Sequence, residues 1–482
     1  MGATLCAVNP WENRMNKRIR SLAQWIGFNK ATLAPLLVAA ALRLGLMIAA
    51  FALTGTRVMT QGDTTSYLEP GRNLLLHGAF TTFGIPETDR TPGFPLFAML
   101  TGMISGNVLL SITAQTVVSL ASLLLVRKIA DSIFSNRNAG THAAWLYAFE
   151  PLSIVSTVRL MPETLFVFLT LLVIERLLAC QKSGKLTALA TAGALLAAET
   201  YVRPVSYYLA VPLAIGLAVT AGKRRGHWWK APAVLLICVF PWFAAWQERN
   251  YVETGYSGFS SIVEQNLYFF QSAEVTAELE HISLGAEQTK LGYPDESAYI
   301  AAHPEQRQWS LSQRFHFMRA QALRILSMHP LLYLKTHIAG IGVVAFTPCA
   351  TELLQLLDAY PSPSSMPHRI LNEGIASSML RVFKSHPGAT IIMALFEGFL
   401  LLIYVLAIRG CLSADRTSPA ALAVIGIAMY FLLISGGAQA VGRYRAPVMP
   451  LLCILAAGGL AQFRTKELRS HDSSAVAIHS MS

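Results

Sequence analysis

Hydrophobic positions along this chain come in long unbroken runs and not in alternation. The runs lie at 31–54, 107–127, 139–158, 162–180, 186–202, 204–221, 231–248, 389–408, 418–436 and 447–463. Each approaches the roughly 20 residues that a helix needs to cross a bilayer. Inside lipid every backbone N–H and C=O must pair within the protein, so runs of this kind are read as helices. The pattern predicts an all-α integral membrane protein, a polytopic bundle of about ten or eleven transmembrane helices with juxtamembrane loops on its outer face. The eleventh candidate is 331–348 (LLYLKTHIAGIGVVAFTP), which is apolar enough to cross but carries Lys335 and His337.

Composition agrees. Hydrophobic residues make up 53% of the 482 positions and charged residues only 13%, too few to clothe a soluble globule of this size. The net charge of +11 raises the question of nucleic acid. The Lys and Arg residues sit in short loops between runs, however, where the bias toward positive cytoplasmic loops accounts for them, and no nucleic-acid partner is expected. Residues 1–30 hold Arg14, Lys17, Arg18, Arg20 and Lys30 without an apolar core; they read as a cytoplasmic segment ahead of a signal anchor and not as a cleavable signal.

Counting crossings from that start puts Arg127, Lys128 and Arg137 inside, and likewise Lys182, Lys185 and the run Lys223, Arg224, Arg225 and Lys230. Loops 55–106 and 249–388 fall outside, with the short 437–446. Ten crossings leave the tail 464–482, with Arg464, Lys466 and Arg469, in the cytoplasm, the side the charge bias favours. On that count 331–348 lies at the outer interface or dips in and returns. Residues 31–463 form one membrane domain, and chemistry is expected on its outer face.

The first outer loop opens on Asp63, a carboxylate at headgroup depth. It could act as general base toward a hydroxyl, or hold a divalent cation against a lipid phosphate; a plain solvated loop aspartate is the bland alternative. Tyr67, Glu69, Arg72 and Arg90 share the loop, which ends in the rigid turn TPGFP at 91–95. The Arg90 guanidinium matches phosphate geometry, whether of a substrate or of an ordinary headgroup. In RLMPETLF, Pro162 and Glu163 begin a helix. Glu163 there can complement the helix dipole, or face Asp63 across a shared cavity. Arg43 and Glu199 are charges inside runs and are expected to face the bundle interior, pairing with each other; Glu150 is expected to be a structural polar contact. Arg203, Arg443, Tyr444 and Arg445 reach the same outer face, where snorkelling to headgroups is the alternative. The six cysteines show no metal-ligand spacing.

Several pieces, in order, are similar to the polytopic GT-C glycosyltransferases, in particular the bacterial branch related to protein O-mannosyltransferases and aminoarabinose lipid A transferases. They are LRLGL, GDTTSY, DRTPGFPLF, RLMPETLF, YVRP, FPWFAAWQERNYVETGYSGFSS and GRYRAPVMPLL. The resemblance implies an inverting transfer of a sugar from a polyprenyl-phosphate donor to a lipid, glycan or protein acceptor, at the outer side of a bacterial plasma membrane. It implies that Asp63 is the catalytic carboxylate and that Glu163 is the acidic residue of the second loop. Tyr67, Arg90, Arg203, Arg443 and Tyr444 would then stand on the donor side. No cofactor is implied, although a divalent cation stays open. Thr64 follows Asp63 where many protein mannosyltransferases carry a paired Asp-Glu, which weighs against a protein acceptor. A WWDYG-type signature and a large C-terminal soluble domain are missing, which weighs against transfer of a whole glycan to asparagine. A secondary transporter or lipid flippase, and a ligase or polymerase of surface glycan, are the competing readings.

Overall fold

The computed structural model describes residues 30–60, 62–134, 138–222, 229–359, 387–414 and 418–461. The basic stretch 1–29, Arg137, the run Lys223 to Arg225, part of the loop 249–388 and the tail 464–482 lie outside the described residues, so expectations placed on them stay untouched.

The described chain is almost entirely helical. α1 (Lys30–Thr54) is followed by α2 (Thr64–His77), a two-stranded hairpin pairing Thr81 with Pro86 and Thr82 with Ile85, and α3 (Gly93–Thr101). Then come α4 (Val108–Ile133), α5 (Ala139–Ala148), α6 (Pro151–Val158), α7 (Glu163–Ser183), α8 (Leu186–Val202), α9 (Ala210–Gly222) and α10 (Lys230–Thr254). In sequence, α10 packs on α8, α8 on α7, α7 on α4, and α4 on α1 and α5, which makes one bundle.

Among the described residues, four helices are long and apolar enough to cross a membrane: Ala31–Thr54, Val108–Ile133, Lys230–Thr254 and Pro387–Leu412. Leu186–Val202, Pro204–Thr220, Pro419–Ile434 and Met449–Ala461 are shorter apolar helices beside them. Leucine, isoleucine and valine side chains stay exposed along these helices, among them Leu37, Ile48, Val211, Ile215, Ile391 and Leu395. Their interior faces combine large apolar side chains, such as Leu123, Leu196, Val239 and Ile403, with small residues that let helix backbones approach closely. A Cβ on Gly410 would lie 1.8 Å from the Leu455 carbonyl oxygen. The chain is therefore a multi-pass membrane protein, as its runs imply.

Two expected features are corrected. The run 139–158 is two helices, not one: Pro151, which lacks an N–H, starts α6, and the buried Glu150 carboxylate caps it by accepting from the N–H groups of Leu152 (3.0 Å) and Ser153 (2.6 Å). Arg43 and Glu199 do not pair with each other. Arg43 donates to Ser119 Oγ (2.8 Å) and to the carbonyls of Ala39 and Ala148, while Glu199 accepts from Thr170 and Ser206, each at 2.8 Å. In each case nearby hydroxyls or carbonyls meet part of the buried group's hydrogen-bonding need, and Arg43 Nη2 and Glu199 Oε2 find no partner among the described residues.

A second, smaller core lies in residues 256–322, where Tyr256, Tyr268, Phe269, Tyr299, Phe315 and Met318 pack together. Its helices are α11 (Ile262–Asn266), α12 (Ala273–Glu280), α13 (Leu284–Leu291), α14 (Glu296–Ala302) and α15 (Leu311–Met328), with a π-helical turn at Leu267–Ser272. This cap is tied to the first loop. Asp89 accepts from Ser261 Oγ and from Gln265 Nε2 (2.6 Å), and Arg249 donates to the carbonyls of Glu87 (2.5 Å) and Phe80 (2.7 Å). After it, α16 (Pro330–Phe346), which carries the ambiguous run, bends by 54° into α17 (Ala350–Leu356). The described residues close with α18 (Pro387–Ser413), α19 (Pro419–Ile434) and α20 (Met449–Ala461).

Candidate functional site

The segments that join consecutive helices at one end of the bundle converge. They are the turn after α1, the approach to α3, the α6–α7 junction, the end of α8 and the turn Gly442–Arg445 before α20. Asp63 stands at the N-cap position of α2, where an aspartate ordinarily accepts from the second or third N–H of the helix. Here its side chain makes no capping bond. The carboxylate instead meets Arg443 (2.5 Å) and Arg90 (3.8 Å).

Arg90 is held from several sides. Its Nε donates to Ser66 Oγ (3.1 Å), its Nη1 donates to Tyr67 Oη (3.3 Å), and its guanidinium carbon lies 4.5 Å from the centre of the Tyr67 ring. Tyr67 is buried and meets Phe94 edge-on. The TPGFP turn that sets this geometry starts α3, and Gly93 is needed there for contact: a Cβ would sit 2.6 Å from the Tyr201 carbonyl oxygen. The turn thus fastens the first loop to the end of α8, two residues before Arg203.

Arg203, the C-cap residue of α8, pairs with the buried Glu163 at the start of α7 (3.3 Å). It also stands 5.5 Å from the Tyr444 ring centre, and Arg443 approaches the same ring from 5.7 Å. A continuous set of contacts therefore runs from Tyr67 through Arg90, Asp63, Arg443, Tyr444 and Arg203 to Glu163. The seven residues that the resemblance assigned to the site meet. Asp63, considered above as a holder of a cation, faces arginines, as does Glu163, so the cluster suits an anion better than a metal. Among the described residues no group of three or more His, Cys, Asp or Glu is placed to hold a metal ion.

The electrostatics follow from this packing. Burial by itself would raise the Asp63 pKa, but Arg443, Arg90 and, farther off, Arg203 outweigh it and hold the carboxyl below its ordinary value. Burial lowers the Arg443 pKa, yet Glu163, Tyr444 and Asp63 more than reverse this and raise it. Arg90 is likewise raised, against burial, by Tyr67, Asp63 and the acidic pair Asp89 and Glu87. Asp63, Arg443 and Arg90 are thus held in their charged forms at neutral pH.

Three neighbours escaped the sequence reading. Arg159, at the end of α6, interacts electrostatically with Glu352 of α17 and with Arg443, Glu163 and Asp63; burial lowers its pKa. Tyr293 of the cap lies within electrostatic reach of Asp63 and Tyr444, and its ring rests on Phe269 and Phe270. The Arg159 signal was present, since RLMPETLF begins with it, but a single arginine at a helix end reads as a headgroup contact. Tyr293 and Glu352 carry no signal, because only folding of long segments brings them near.

Residues 89–246, about a third of the chain, match the family model described as dolichyl-phosphate-mannose-protein mannosyltransferase. The resemblance drawn from the motifs is borne out over this stretch, which is similar to a mannosyltransferase family of the GT-C type. No curated protein matches it in sequence. Among solved structures, the oligosaccharyltransferase AglB of Archaeoglobus fulgidus, in complex with an inhibitory peptide and a dolichol-phosphate, is similar at 13% identity and a TM-score of 0.45, over 88% of this chain and 50% of that one. A second structure of the Archaeoglobus fulgidus oligosaccharyltransferase, tethered to an acceptor peptide with an NVT sequon, gives 13% identity and a TM-score of 0.44 over 89% of this chain and 49% of that one. The chain thus spans about half the length of these proteins.

Proposed function

We propose that this protein is a membrane glycosyltransferase that moves a sugar from a polyprenyl-phosphate donor to an acceptor hydroxyl, inverting the anomeric centre, at the outer face of a plasma membrane. The observation that carries the reading is the position of Asp63 between Arg443 and Arg90, beside Arg203, in a chain whose 89–246 stretch matches a family defined on a dolichyl-phosphate sugar donor. A carboxylate next to fixed guanidinium groups supplies the two functions such a transfer needs. Asp63 takes the proton of the acceptor hydroxyl as its oxygen bonds to the anomeric carbon. The bond from that carbon to the phosphate oxygen breaks, and its electron pair stays on the phosphate. The arginines stabilise the charge that develops there, and they are already oriented before reaction. A transporter would use charges near the midplane; Arg43 and Glu199 are each committed to local hydroxyls or carbonyls.

The test is a transfer assay on purified protein in lipid, offering a panel of polyprenyl-phosphate monosaccharides with lipid, glycan and peptide acceptors. Release of polyprenyl phosphate by wild type, lost in Asp63→Asn, is the expected result and names the sugar. No release from any donor by folded protein overturns the reading in favour of a glycan ligase or a transporter.

A further inference from the structure

Building on that reading, we propose that Arg159 is a binding residue for the donor's phosphate, the guanidinium that receives its non-bridging oxygens. Its backbone is unusually well fixed for a loop position. Gln115 Nε2 of α4 donates to the carbonyls of Thr157 (3.0 Å) and Arg159 (2.8 Å), Leu160 N donates to the Met59 carbonyl (2.9 Å), and Thr64 Oγ1 donates to the Leu160 carbonyl (3.1 Å). These bonds join the Arg159 segment to residues on both sides of Asp63. The main chain is thus held in place by groups outside its own helix.

Among the described residues nothing bonds the side chain. Arg90 and Arg443 share Asp63, and Arg203 has Glu163. The arginines that serve structure are bonded too: Arg43 to Ser119 and two carbonyls, Arg445 to the carbonyls of Val344, Ala345 and Thr347. Arg159 makes no hydrogen bond or ion pair through its guanidinium to any described residue, although its Nε is buried from solvent. Glu352 is the carboxylate that weighs most on it, beyond ion-pair distance. A guanidinium has five donors, and leaving a buried one without an acceptor costs free energy that a ligand can recover. The ligand must be anionic and rich in oxygen, and it must lie where Asp63, Glu163 and Arg443 are all within electrostatic reach. A phosphate ester meets those demands, and guanidinium can take two of its oxygens at once.

The same chemistry could come from a phospholipid headgroup or from free phosphate, so the test must separate them. Wild type, Arg159→Gln, Arg159→Lys and Asp63→Asn would be placed in nanodiscs of zwitterionic lipid, and binding of undecaprenyl monophosphate measured with neutral undecaprenol as control. The expected result is that Arg159→Gln weakens binding of the phosphate lipid by on the order of tenfold or more, since a bond to a charged group is lost. Undecaprenol binding stays unchanged, Arg159→Lys recovers part of the loss because it keeps the charge without the fork, and Asp63→Asn still binds. Unchanged binding in Arg159→Gln overturns the inference while leaving the glycosyltransferase reading intact, whereas failure of wild type to bind the phosphate lipid counts against that reading itself. Equal competition by phosphatidic acid or inorganic phosphate would assign Arg159 to headgroups or to free phosphate and also overturn it.

Discussion

Asp63 and Arg443 lie 380 residues apart in sequence and touch at 2.5 Å, which closes the segment after α1 against the turn before α20. That contact carries both the proposed chemistry and most of the tests of it.

Replacing Asp63 by asparagine removes a base and one charge but little packing. Transfer is expected to fall by roughly two to four orders of magnitude, the usual share of a general base, while the protein keeps its elution profile in detergent. Turnover near wild type would remove Asp63 from the mechanism.

The depressed Asp63 pKa has a consequence for stability. A carboxyl whose folded pKa lies below its unfolded value contributes stability above the unfolded value and loses it as pH falls through the folded one. The difference in melting temperature between wild type and Asp63→Asn, in wild type's favour, should therefore be constant from neutrality to about pH 5 and shrink below the ordinary carboxylate range. A thermal scan series over pH reads this directly, and a difference that already closes near pH 6 contradicts the pairing.

Gly93→Ala should destabilise the protein by about 1–3 kcal/mol, because the new Cβ meets the Tyr201 carbonyl oxygen at 2.6 Å and backbone must move on both sides. The expected observation is a lower melting temperature together with reduced transfer, since the same turn carries Arg90. An unchanged melting temperature would show that α3 can shift freely from α8.

Contact between Asp63 and Arg443 requires that both loops face one compartment. In a cysteine-free background, Arg57→Cys and Arg443→Cys should react with an impermeant reagent from the same side, and Ser183→Cys, at the far end of α7, from the other. Labelling of positions 57 and 443 from opposite sides would be incompatible with the ion pair.

Much of this was legible in the chain. The long apolar runs dictated helices, because lipid offers backbone groups no partner, and seven residues in the segments between runs or at their ends were marked as one face and do meet. Reading span ends is less secure than reading spans: Pro151 and Glu150 break 139–158, and a capping carboxylate inside an apolar run looks like any buried polar contact until its acceptor geometry is visible. The pairing of Arg43 with Glu199 failed for a related reason. Sequence places two charges at depth but cannot see that serine and threonine hydroxyls and free carbonyls lie closer.

What the sequence determined by itself is the class of molecule, its helical and membrane-embedded character, and the residue types at the end of each run, since these follow from local composition and the demands of the bilayer. Which arginine faces which carboxylate was decided only in three dimensions. Asp63 declines its own helix cap for Arg443, Arg203 takes Glu163, and Arg159 is left with a fixed backbone and no hydrogen-bond partner for its guanidinium among the described residues. Those choices depend on distances between segments hundreds of residues apart, set by how α4, α7, α8 and α20 pack, and local sequence pattern carries no record of them.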